Sequence, residues 1–192
     1  MDLEALSELL DGHSNSFVTA IRWQAEHDRV LDIEYEDPKL LNVRHRCEIT
    51  CTWVKECDVS VGFFDSLQYL SEHPLLLPHF GPQGSLFFSS SPSSPESVIV
   101  RAQAAIHSAS DGWLDPRSIL NGPIGRLLVH LHHGSGLLAR GPVPVLDAIA
   151  SAVGPELPCT VTHGVTFETP LRVLLLNDRS IICRSAVLSQ KC

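Results

Sequence analysis

Apolar and polar positions alternate with a period of two over most of residues 17–63, which predicts half-buried strands rather than helices. Phe17, Thr19, Ile21 and Trp23 alternate with Val18, Ala20, Arg22 and Gln24. After Glu26-His27-Asp28, Leu31, Ile33 and Tyr35 alternate with Asp32, Glu34 and Glu36. These two runs predict a hairpin with one apolar face and one strongly acidic face. Val43, His45, Cys47, Ile49, Cys51 and Trp53 then line one side of a third strand, with Arg44, Arg46, Glu48, Thr50 and Thr52 on the other. Beyond a turn at Lys55-Glu56, the residues Cys57, Val59, Val61 and Phe63 continue the apolar side. Four strands joined by short polar links predict an antiparallel meander with one buried and one wet face.

Elsewhere the period changes. Leu3, Leu6 and Leu10 mark a short amphipathic helix over 2–10 that stops at Gly12. Asp65 followed by Gln68 has capping-box spacing and predicts a helix to about His73, before Pro74. Ser85–Ser89 reads as a short strand and 89–95 as a polar connection. Ser94 and Pro95 then form the N-cap and first position of a helix over about 96–109. A short helix or turn at Asp115-Pro116 follows, then a helix from Ile124 to His133 stopped by Gly134. A glycine-bounded link over 134–142 leads to a helix from Pro142 to Val153. Cys159–Phe167, Leu171–Leu176 and Ser180–Leu188 read as strands, the last two joined through Asn177-Asp178.

The fold class is therefore α+β: an antiparallel four-stranded meander near the N-terminus, a helical middle section and a C-terminal three-stranded antiparallel segment. Residues 1–192 read as a single α+β domain whose last three strands close one mixed sheet, with a sub-boundary at 89–95 as the alternative.

Composition narrows the class only a little. A chain of 192 residues, 44% hydrophobic and 19% charged, can build a core without disulfides or metal. No apolar run nears the 18 or so residues that span a bilayer, and Met1-Asp2-Leu3-Glu4 is acidic where an export signal is basic. The expectation is a cytoplasmic protein with no membrane partner, whose six cysteines are reduced thiols.

Charge changes the picture more. Residues 1–40 hold ten acids against three bases, so seven of the eight net negative charges lie there. Such a field attracts basic partners and repels nucleic acid. Asp32, Glu34 and Glu36 stand at alternate positions of one strand, about 6.6 Å apart, with Asp28 and Asp37 flanking them. That spacing is comparable with the phosphate repeat of a nucleic-acid strand. Arg44 and Arg46 on the following strand stand where cross-strand pairing would shrink the patch.

Other chemistry is thinly represented. His45, Cys47, Cys51 and Cys57 lack paired CxxC or HxxxH knuckles, and Cys47 and Cys51 lie roughly 13 Å apart along one strand. They read as core packing. His130 and His133 share a helix face but stand in the last turn before Gly134, where capping accounts for them. His163, among Cys159, Val161, Val165 and Phe167, reads as a core residue. No GxSxG elbow, Walker loop or dinucleotide fingerprint occurs.

These readings converge on a non-catalytic protein-binding module of the inhibitor, immunity or accessory type, without cofactor or metal. It is expected to dock a basic protein, such as a nuclease or toxin, through Asp28, Asp32, Glu34, Glu36 and Asp37. The alternative is a metal- or Cys/His-dependent enzyme that draws on His45, Cys47, His130, His133 and His163.

Overall fold

The period-two runs become strands wherever their apolar row can meet another row across a sheet. The computed structural model describes residues 2–10, 15–36 and 43–190; Gly12 and Asp37, named above, lie outside them. The first elements are α1 (Leu3–Leu10), β1 (Ser16–Ala25), β2 (Asp28–Glu36), β3 (Arg44–Thr52), β4 (Glu56–Cys57), β5 (Gly62–Phe64) and β6 (Leu67–Leu70). A 3-10 turn at Pro74–His79 precedes β7 (Gly81–Phe88), α2 (Pro95–Ala109), α3 (Pro116–Ile119), α4 (Ile124–His133) and β8 (Gly136–Pro142). The chain closes with α5 (Val143–Val153), β9 (Cys159–Phe167), β10 (Arg172–Leu176), β11 (Arg179–Cys183) and β12 (Ser185–Gln190). The fold is mixed α+β with antiparallel sheets. No helix among the described residues is long and apolar enough to cross a membrane.

The chain divides into two units, one formed by residues 1–76 with 170–192 and the other by 77–169. Segment 89–95 falls inside the second unit, between β7 and α2.

In the first unit, β1, β2 and β3 pair in sequence order, as the meander requires. Their sheet runs β12-β3-β2-β1-β5, and a second sheet runs β4-β11-β10-β6. Both contribute to one core that holds Leu31, Ile33, Ile49, Phe64, Leu67, Leu174 and Ile181, with Leu3, Leu6 and Leu10 of α1. The fourth expected strand divides in two: β4 joins the second sheet, while β5 returns to the free edge of β1. The expected strand over 180–188 also breaks. At Arg184, whose N–H donates to the Thr52 carbonyl at 2.9 Å, the chain leaves β10 and crosses to β3. The final three strands thus serve three sheets instead of closing one.

The helix expected from Asp65 to His73 is a strand. The Asn177 side-chain oxygen accepts the Asp65 and Ser66 N–H groups, each at 3.1 Å, so these donors are satisfied by a turn from another part of the chain. Leu67–Leu70 then pairs with β10, seating Leu67 opposite Leu176. A helix of two turns before a proline gains little by itself, and a strand partner for β10 outweighs it.

In the second unit, β8-β7-β9 form an antiparallel sheet, and α2, α4 and α5 share its core through Val98, Ile106, Leu127, Leu131, Leu146 and Ile149. Ser94 caps α2 as expected, accepting the Ser97 N–H, with Pro95 in the first turn. The expected link over 134–142 is largely strand β8, which buries Leu138 and Ala139 against β7. Gly134 ends α4 with φ 81°, and a Cβ there would meet the Ser91 hydroxyl at 2.8 Å, so glycine is needed on both counts.

Candidate interaction face

The side of β1–β3 opposite the core carries the acids singled out above. In β2, Leu31, Ile33 and Tyr35 point into the core, which leaves Asp32, Glu34 and Glu36 on the outer face. The β2–β3 register sets Glu34 opposite Arg46, Glu36 opposite Arg44, and Asp32 opposite Glu48. The last pairing joins like charges, which is unfavourable unless a cation lies between them.

Arg22 is that cation, and a β-bulge delivers it. Val18 opposes Ile33 and Ala20 opposes Asp32, so Thr19 is the extra residue. Beyond the bulge the side chains change sides. Val18 is buried and Ile21 packs on the core, whereas Phe17, Thr19 and Arg22 are exposed. The sequence reading of one apolar face through Phe17, Thr19, Ile21 and Trp23 is corrected by this single residue.

Arg22 forks onto Asp32, with its Nε and Nη2 donating to the two carboxylate oxygens at 2.7 and 2.9 Å, and it also donates to Glu48. Arg44 donates to Glu36 and Glu34, both at 3.1 Å, and Arg46 donates to Glu34 at 3.1 Å. Asn15 adds a bond to Glu36 at 3.2 Å. Hydrogen bonds from Arg46 and then Arg44 hold the Glu34 carboxyl below its ordinary range, and burial opposes them. Hydrogen bonding to Asp32 in turn raises Arg22.

The arrangement is layered. The Asp32 and Glu34 side chains are 18% exposed, while those of Arg44 and Arg46 are 62% and 74% exposed. Guanidinium groups therefore stand outermost with carboxylates beneath them. The strongly acidic face expected from the sequence is a mixed-charge face. Asp28 sits apart at the hairpin end, accepting the Trp53 N–H at 3.0 Å. Asp37 lies outside the described residues.

Two aromatic residues complete the face. Phe17 and Phe63 are 41% and 49% exposed and meet edge to face, with centroids 5.6 Å apart. Phe17 opposes both Phe63 and Glu34, so one row crosses four strands as Phe63, Phe17, Glu34, Arg46. Beside it, Thr19, Asp32, Ile33, Glu34, Arg46 and Cys47 line a depression of about 370 Å³. Sequence reasoning placed Phe17 and Phe63 on buried faces; the bulge and the return of β5 to β1 expose them.

The alternative residue pool is dispersed. His45, stacked on Tyr35, and buried Cys47 belong to the first unit, whereas His130, His133 and His163 belong to the second. His163, expected in a core, is exposed on β9. Among the described residues no three His, Cys, Asp or Glu side chains gather as a metal site. Compared with protein-family models, curated proteins and solved structures, the chain matches none.

Proposed function

We propose that the chain is a non-catalytic protein-binding module, of the inhibitor, immunity or accessory type, that docks a basic protein on the outer face of β1–β3. The observation that supports this reading is the row Phe63, Phe17, Glu34, Arg46, where an exposed aromatic pair adjoins a charged ladder. Aromatic and arginine side chains are the types most enriched where binding energy concentrates in interfaces. The net charge of −8 draws a basic partner from a distance.

Contact itself proceeds by exchange. Because Asp32, Glu34 and Glu36 are already paired, a partner's lysine or arginine displaces an outlying Arg44 or Arg46. Those pairs are solvent-screened, so little is lost in the exchange. The carboxylates fix register, and the phenylalanines supply apolar burial.

Immobilised wild-type protein and a Phe17→Ser/Phe63→Ser variant, both verified as folded by circular dichroism, would be exposed to lysate of the source cells. The reading predicts retention of a basic protein by the wild type and at least tenfold less by the variant, the loss expected from removing a central aromatic anchor. Equal retention by both would remove this face from consideration.

A further inference from the structure

Cys51 and Cys183 are fully buried, unbridged, and far apart in sequence, yet both belong to the one core of the first unit. They meet where the two chain segments of the first unit join. Beside them the Arg184 N–H donates to the Thr52 carbonyl, and the Thr52 and Ser185 hydroxyls stand 2.7 Å apart. Cys51 opposes Ala186 across β3–β12, and Cys183 opposes Arg172 across β10–β11. Cys51 directly precedes Thr52, and Cys183 directly precedes Arg184. The backbone and side-chain bonds that tie Thr52 to Arg184 and Ser185 thus set the two cysteines at the same crossing of β3 and β11 into β12.

We propose that Cys51 and Cys183 form a reversible disulfide when the protein meets hydrogen peroxide, joining the two segments of the first unit covalently.

The two sulfurs have different roles. The hydrogen bond from Cys51 lowers the Cys183 thiol, with the Arg172 charge assisting and burial opposing; the same contact and burial push Cys51 up. Arg172, opposite Cys183 across β10–β11, places a cation beside it that favours its thiolate, and this assigns the attack to Cys183. Its sulfur bonds to one peroxide oxygen, the O–O bond breaks, and the departing hydroxide takes up a proton as water. The Cys51 sulfur then attacks the Cys183 sulfenic acid. The S–O bond breaks, and hydroxide leaves with the Cys51 proton as a second water. Two thiols are oxidised and one peroxide is reduced. Access comes through local opening at β4, which is two residues long and is held to β11 by its own pairs and by the flanking Lys55 and Asp58 N–H groups on the Ile182 and Ser180 carbonyls.

The crosslink closes a loop that contains the whole second unit, so it constrains the unfolded chain strongly. Reduced protein would be treated with hydrogen peroxide, denatured in the presence of N-ethylmaleimide and digested without reductant, and the peptides weighed. The proposal expects a Cys51–Cys183 crosslinked pair two hydrogens lighter than its parts, reversed by dithiothreitol, with a melting temperature higher by roughly 10 °C. A Cys57→Ser variant, which removes the exposed competing thiol, is expected to give the same crosslink. If Cys51 and Cys183 stay alkylatable, or pair with Cys47, Cys57 or another molecule instead, the proposal is overturned.

Discussion

Truncating Leu31 to alanine is expected to lower the free energy of unfolding by about 3 to 4 kcal/mol. Leu31 is fully buried and lies opposite Ile21 on one side and Ile49 on the other, with Leu188 beyond, in a row that crosses four strands. Removing its isobutyl group forfeits the transfer free energy of the lost atoms. It also leaves a cavity that a paired sheet cannot close, because the backbone positions are held by hydrogen bonds on both sides. Urea unfolding followed by far-ultraviolet circular dichroism would measure it. A loss below about 1 kcal/mol would mean that the row is not packed as described.

Reversing Arg22 to glutamate is expected to produce the largest effect of any substitution on the outer face. Arg22 bridges Asp32 and Glu48, which stand directly opposite each other. Its reversal sets three carboxylates together where a cation held two apart. The sign of the pH response identifies the cause. In the wild type, Glu34 is held below its usual range, so its contribution is complete above the unfolded value near 4.5 and lost as pH falls through the folded value. Acid therefore weakens the wild type. In the variant, acid also discharges the repelling carboxylates, so the deficit in urea midpoint relative to wild type should be greatest at neutral pH. It should shrink near pH 4, and shrink again in about 1 M salt. A deficit independent of pH and salt would point to lost packing instead of charge.

The parts of the fold that could be read from the sequence are those where one local signal suffices. Alternation in 28–36 and 44–52 located β2 and β3, and it set Arg44 and Arg46 beside Glu34 and Glu36 as found. Ser94 and Pro95 announced α2 because a cap and a fixed φ act within four residues. The failures have a non-local cause. The bulge at Thr19 is one extra residue that no pattern of types marks, yet it leaves Phe17 and Thr19 outward and Val18 inward while Ile21 keeps its expected inward side. The segment 67–70 is a strand because β10, a hundred residues later, offers it an edge and Asn177 satisfies its turn. The segment 136–142 is a strand because β7 lies beside it. The neutralised acids combine both cases: the arginines of β3 were legible as partners, and the register that brings Arg22 to Asp32 and Glu48 was not.

One measurement bears most directly on the proposed role. A photo-crosslinking p-benzoylphenylalanine would replace Phe63, on the outer face, or Val100, exposed on α2 in the second unit, as the control. Each protein would be irradiated in lysate of the source cells. A crosslinked adduct with one basic protein from position 63, absent from position 100 and reduced in high salt, is the result this account predicts. No adduct at position 63, or the same set of adducts from both positions, would contradict it.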